Sequence, residues 1–416
     1  MQNVISKVVG LIFPNVKKNI KTLHALGISL IDFLVLLYYN DKKKNIKPNN
    51  STKKKVLIIR LDAIGDAIIW LDSLRMFKTL YPPHAYDITL LCNIVWIDLV
   101  KDGLYVDNCI GIDRLKFKNN LTFRYQQFKK ISKQKYDIVI NAAYSRQFLV
   151  DDSIVRASSA FEKIGHCGDY SSTTQFQNVI SNAWYSRLVV NSEKNLMEIG
   201  RNAELMHGLG LSQIVTKFPE LLCIRNKKPT FDKYYVIFPG ASSPKKSWPI
   251  ENYSLLCKKI YDKYKIPGYI CGSVAELALG KSLMAFTGPN VLCDLTGKTT
   301  LLELCEIIRN AKILISNDTS AAHISVAVST PLICMLGGGH YGRFLPYKVD
   351  DTEGRPIPKV FTRHMQCFGC NWNCICKNKK WETWPCISGI NVDDVWNYIV
   401  GSCYFTSDKT TGRCEV

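Results

Sequence analysis

Asp66, Lys246, Glu276, Asp318 and His323 are side chains whose types and settings could do chemistry, and each stands just past a short apolar run. Asp66 ends the stretch RLDAIGD, residues 60–66, after the run VLII. A carboxylate exposed there could take a proton from an attacking hydroxyl; its plainer role is to compensate the dipole of the helix it begins. In FPGASSPKKSWP, Phe238–Pro249, the small residues Gly240, Ser242 and Ser243 let backbone amides approach an anion. A lysine there supplies a point charge suited to a diphosphate. Two lysines on any loop are more often merely solvated, but the flanking Pro-Gly-Ala-Ser-Ser and Trp-Pro favour the anion reading. In SNDTSAAH, Ser316–His323, Asp318 and Thr319 are good N-cap types. The helix they start would offer free amide N–H groups to phosphate. His323 falls one turn in, where a histidine is more often packed than ligating. In CGSVAE, Cys271–Glu276, Glu276 could reach a ribose hydroxyl.

No Asp-x-Asp occurs in the chain. Sites that hold a diphosphate through Mg²⁺ or Mn²⁺ use clustered carboxylates. Lysine, amides and a helix dipole point instead to metal-free stabilisation of a departing nucleoside diphosphate. One stretch suggests different chemistry. LICMLGGGHYG, residues 332–342, spells Gly-x-Gly-x-x-Gly after a strand pattern, the turn of an NAD-dependent dehydrogenase. That turn must open a helix. Here Arg343-Phe344-Leu345-Pro346 follows, with Pro356 further on, and prolines so placed forbid a regular helix. Gly337 and Gly338 are read instead as a loop where the backbone closely approaches a ligand or a neighbouring strand.

Alternating elements must position these residues. A strand pattern at Val56–Arg60 leads to a helix from about Asp66 to Leu80, with further strands at Ile88–Cys92 and Ile138–Asn141. Residues 150–230 read as irregular and polar. Alternation resumes with strands at Tyr235–Phe238, Tyr269–Cys271, Val291–Leu295, Ile313–Ser316 and Leu332–Leu336. Helical patterns over 252–265, 276–286, 301–311 and 320–329 separate them. Short apolar strands spaced by helices mean parallel sheets covered on both faces. The expected class is α/β, with two doubly wound domains facing across a cleft and ligands outside the carboxyl ends of the strands. The expected spans are a basic arm 1–54, a first domain 55–228, a second 229–350 and a Cys-rich extension 351–416 with a closing helix.

The 416 residues carry a net charge of +19, and residues 1–55, with 11 Lys, no Arg and 2 Asp, supply +9 of it. The apolar stretch Leu26–Tyr39, interrupted by Asp32, is shorter than a bilayer span. It is expected to form either an interfacial helix on an anionic membrane surface, with the neighbouring lysines at the headgroups, or a helix packed on the body. A nucleic-acid partner is not expected, because no recognition motif accompanies the charge. Most of the 16 cysteines sit singly in apolar runs and read as small hydrophobes in a reducing cytoplasm.

Taken together and in this order, the motifs resemble glycosyltransferase family 9, the heptosyltransferases of lipopolysaccharide synthesis. Arg60–Asp66 is similar to that family's R-x-x-x-I-G-D, Pro239–Pro249 to its P-G-A…K-x-W-P, and Asp294–Leu336 to its long signature block. The resemblance covers about Lys55 to Val400. It implies a GT-B fold and an inverting, metal-independent transfer that needs no cofactor. The acceptor would lie on the N-terminal domain and the nucleotide-sugar on the C-terminal one. It implies Asp66 as the base, Lys246 at the donor diphosphate and Glu276 at the ribose. Asp318 would meet the donor sugar's hydroxyls, Thr319 and His323 would lie near the diphosphate, and Gly337 and Gly338 would belong to a donor-side loop. The implied partners are a nucleotide-diphosphate sugar, ADP-heptose first, and a lipid-linked saccharide acceptor. The implied place is the inner face of the cytoplasmic membrane. Ser320 stands where the family usually has glycine. A non-catalytic relative would lack a key residue, whereas Asp66, Lys246 and Asp318 are all present. Cys367, Cys370, Cys374, Cys376 and Cys386 could hold a structural Zn²⁺, pack as free thiols or form a disulfide.

Overall fold

The computed structural model describes residues 25, 27–35, 52–102, 104–192, 196–222, 232–376 and 383–406. Its contacts divide into two units. The first holds the residues to Asp62, Arg75–Ser192 and Arg201–Ser212; the second holds Ala63–Leu74, Glu193–Gly200 and Gln213 onward. The stretches 63–74 and 193–200, inside the span 55–228 read from the sequence as one domain, thus group with the second unit.

The first unit is built on six parallel strands: β1 (Lys54–Arg60), β2 (Tyr86–Asn93), β3 (Asn108–Ile112), β4 (Ile138–Asn141), β5 (Glu162–His166) and β6 (Arg187–Val189). Their order is β3-β2-β1-β4-β5-β6, with Val56 paired to Ile88 on one side and Ile138 on the other. Val56, Leu57, Ile58 and Ile59 are all fully buried, as a parallel strand covered on both faces must be. Helices Arg114–Asn119 and Leu121–Lys133 start on Asp113 and Asn120, whose side chains accept the N–H of Lys116 and Phe123 at 2.9 Å. They lay Phe117, Phe128 and Ile131 onto Leu57, Ile59, Leu91 and Val139.

The expectation of an irregular segment at 150–230 is corrected. It contains β5, β6 and helices Asp151–Ala157, Gln175–Asn182 and Glu198–Gly208. β5 reads EKIGH and β6 is three residues, exposed or half-buried, so neither shows the continuous apolar run of a central strand. The helical segment 27–35 packs on this unit through Ser29 and Asp32, with Ala25 also buried, the i, i+4, i+7 spacing of one helix face. Asp32 accepts two hydrogen bonds from Arg124, at 3.0 and 2.6 Å, and Arg156 donates to the Ser29 carbonyl at 3.2 Å. Leu30, Ile31, Phe33 and Leu34 stay exposed. The lysines at 42–47 expected at the headgroups lie outside the described residues. No described helix is long and apolar enough to cross a membrane.

The second unit repeats the plan with β7 (Tyr235–Phe238), β8 (Gly268–Ile270), β9 (Leu292–Asp294), β10 (Leu314–Asn317), β11 (Leu332–Met335) and β12 (Lys359–Phe361). Their order is β12-β11-β10-β7-β8-β9, all parallel. Within its core, Val395 and Ile399 of helix Val392–Gly401 pack with Ile237, Tyr253, Leu256 and Ile260, so the C-terminal extension completes this domain. Cys257 and Cys271 are buried and free, and desolvation pushes both thiols up to about 12. They behave as small hydrophobes. Cys403 is disulfide-bonded.

Candidate active site

In the second unit, the exits of β7, β8 and β10 and the start of helix Ile64–Leu80 line one pocket of about 510 Å³. Of the residues expected to act, Asp66, Ser242, Lys246, Glu276, Asp318, Thr319 and His323 all line it. Gly65 explains how two distant motifs meet. A Cβ there would lie 3.1 Å from the His323 ring and 3.7 Å from the Ser320 backbone. The two helix starts approach closely where residue 65 has no side chain, so a larger residue there would push the His323 ring aside.

A residue not singled out in the sequence holds the next motif. Asn317, fully buried at the end of β10, donates to the carbonyls of Pro239 at 2.7 Å and Gly240 at 3.1 Å. Its oxygen accepts the Trp248 N–H at 2.9 Å. A polar amide closing an apolar strand must find partners, and that was its only signal. The loop it fixes contains the turn Pro244–Lys246, where Lys246 N–H donates to the Ser243 carbonyl at 2.9 Å. Ser243 thus shapes the turn and is not among the residues lining the pocket.

Desolvation lowers the Lys246 ammonium from its ordinary value, with Asp318 opposing the shift. Desolvation likewise raises Asp318 to about 6, with Lys246 opposing. Both shifts mean that mutual attraction does not fully offset the loss of water. Thr319 is the N-cap of helix Ser320–Ala327, but its side chain makes no capping bond, and its buried hydroxyl oxygen has no hydrogen-bond partner in the structure. The helix's leading amides are left without the usual side-chain cap, which suits an incoming anion. His323 is 4 % exposed, with Nδ1 2.9 Å from the Tyr347 hydroxyl. Burial drops it to about 4, so it is a neutral hydrogen-bonding group at pH 7. It is packed and also lines the pocket. Glu276 accepts the Ser273 N–H at 2.6 Å in a capping box. Its carboxylate lies where a Cβ on Gly240 would be.

The glycine run behaves differently from its expectation. Gly337 and Gly338 are not among the pocket-lining residues. A Cβ on Gly337 would stand 2.7 Å from the Trp372 ring and 2.8 Å from Ile387, and one on Gly338 would collide with Phe368. The run leads into the short turn Gly338–His340 rather than a long helix, so no dinucleotide turn is present. Its glycines are a floor for aromatic rings. His340, Phe344 and Trp372 are the parts of this region that reach the pocket, and none was singled out from the sequence.

Cys367, Cys370, Cys374, Cys376 and Cys386 surround a cavity of about 10 Å³ beneath that floor, and all five are free. Burial, then the neighbouring thiols, pushes Cys376 up. Among the described residues, no three or more His, Cys, Asp or Glu side chains are grouped so as to hold a metal ion.

The first unit also gathers polar groups at its strand exits. Arg60, fully buried, pairs with Asp62 at 2.7 Å and donates to the Ala142 carbonyl at 2.6 Å and to Asn202 at 3.0 Å. His166, buried at the end of β5, is lowered to about 3 by desolvation and then by Arg60.

Two doubly wound parallel sheets in one chain are the GT-B architecture, and the second unit bears a pocket of anion-seeking and acid–base groups. The chain belongs to glycosyltransferase family 9 (heptosyltransferase), whose model matches residues 124–371; it is a glycosyltransferase. Among curated proteins, lipopolysaccharide heptosyltransferase 3 of Escherichia coli strain K12 is 25% identical over 322 residues, 72% of this chain and 88% of that one. Among solved structures, a glycosyl transferase family 9 protein of Veillonella parvula covers 84% of this chain and 96% of its own, with TM-score 0.65 and 15% identity. The E. coli heptosyltransferase WaaC with ADP-2-deoxy-2-fluoro heptose covers 83% and 99%, with TM-score 0.59 and 18% identity. These two likenesses speak to the fold.

Proposed function

We propose that the chain transfers a heptose or related sugar from a nucleotide-diphosphate donor, ADP-heptose first, to a lipopolysaccharide-core or other lipid-linked saccharide, with inversion and without a metal. In this reading the Asp66 carboxylate takes the proton from the acceptor hydroxyl. The freed oxygen pair attacks the anomeric carbon from the face opposite the diphosphate, and the sugar–phosphate C–O bond breaks with its electrons passing to the diphosphate. The Lys246 ammonium, the Thr319 hydroxyl and the leading amides of helix Ser320–Ala327 take up that charge. Asp318 accepts from sugar hydroxyls, Glu276 from the ribose, and neutral His323 hydrogen-bonds near the diphosphate. Ser242 and the backbone beside Gly240 shape the donor loop.

The observation that carries the reading is one pocket holding Asp66 together with Lys246, Asp318, Thr319 and His323, in a family 9 chain. The curated relatives named for lipopolysaccharide and a solved neighbour titled with an ADP-heptose analogue support the acceptor and donor classes. The test is transfer from ADP-heptose to a deep-rough lipopolysaccharide acceptor in EDTA. Undiminished turnover is expected, and a strict Mg²⁺ requirement would remove metal independence. The spacing of Cys367, Cys370, Cys374, Cys376 and Cys386 would allow a structural zinc, whereas among the described residues the five are free thiols not grouped as metal ligands. Metal analysis of the same preparation checks it, and protein that is fully folded and zinc-free would remove it.

A further inference from the structure

We infer that Trp372, carried in by the cysteine-bearing loop, is a positioning residue of the donor site, holding the Lys246 ammonium where the diphosphate must meet it. The inference rests on the donor reading above. The Lys246 Nζ lies over the indole, 4.2 Å from its centroid, well inside the range of a cation–π contact. Both residues line the same pocket. An aromatic face suits this task because it orients a cation without neutralising it, adding to the pull of the Asp318 carboxylate.

Several features fix the indole in place. It stacks on Trp384 with centroids 5.0 Å apart and planes 18° from parallel, and meets His340 edge-on at 5.6 Å. A Cβ on Gly339 would collide with it. Asn371 N–H donates to the Gly339 carbonyl at 3.0 Å, and the Asn371 side chain lies 2.6 Å from His340 Nε2. The backbone turns through the left-handed region: Asn371 at φ 48° suits it, whereas Trp372 at φ 62° is a bulky residue there and an outlier that its surroundings must enforce. The loop's other end is tied to the lysine's own turn, because Trp384 N–H donates to the Lys245 carbonyl at 3.0 Å. The glycine run thus serves the donor site indirectly, by admitting the ring that steadies its cation.

The test is calorimetric titration of the full chain with ADP, using Trp372→Phe and Trp372→Leu, each alone and combined with Lys246→Met. Phenylalanine keeps a π face; leucine fills space without one. Trp372→Leu should weaken ADP binding roughly tenfold, Trp372→Phe only two- to threefold, and the leucine effect should vanish beside Lys246→Met. Equal affinity of Trp372→Leu and wild type, or an undiminished leucine effect in the Lys246→Met background, would overturn the inference and leave the donor reading standing. A wild-type chain that binds none of ADP, GDP or UDP would remove the donor reading and this inference with it.

Discussion

At the scale of single residues, Asp318 shows a conflict between folding and chemistry. Desolvation raises it to about 6, so its ionised form is disfavoured in the folded chain. The folded state then binds more protons than the unfolded one between the ordinary carboxylate value and about 6, and stability falls as pH rises through that window. Asp318→Asn should therefore stabilise the protein by about 3 kcal/mol near pH 7, with the gain shrinking toward zero near pH 4 and donor binding weakened. Urea midpoints at the two pH values read the effect; no gain at neutral pH would mean the charge is already compensated. Asp66, Lys246, Asp318, Thr319 and His323 were legible because each follows a strand that any reader of periodicity would place. Asn317 and Trp372 were not. The first looks like one more strand residue, and the second sits in an irregular loop far along the chain from the lysine it meets.

At the scale of elements, the strands most easily read were the ones buried on both faces. β1, β4, β7 and β11 are unbroken apolar runs apart from their ends, whereas β5, β6 and β12 lie toward the sheet edges and carry charged residues. The segment 27–35 shows the same limit. The sequence left open an interfacial helix or one packed on the body, and in the structure the polar Asp32 anchors it to the body, with Asp32 and Arg124 side chains 2 % and 1 % exposed. Removing one partner of a buried pair strands the other. Asp32→Ala should cost about 3 kcal/mol, measured by urea unfolding, and a loss under about 0.5 kcal/mol would place the pair in solvent.

At the scale of the whole molecule, two sheets share the same strand order, and the pocket holding Asp66, Lys246, Asp318, Thr319 and His323 belongs to the second unit. We propose that the exposed Leu30, Ile31, Phe33 and Leu34, beside a sequence arm of 11 Lys, meet an anionic membrane face. Flotation with vesicles of phosphatidylglycerol should recover the protein, and neutral vesicles should not; equal recovery from both would remove the electrostatic part. The central claim is that Asp66 primes the acceptor in a pocket otherwise devoted to the donor. The most direct measurement is the paired turnover and ADP affinity of Asp66→Asn. The account predicts a loss of kcat of at least about a hundredfold with ADP binding unchanged within about twofold, and full turnover in that variant would contradict it.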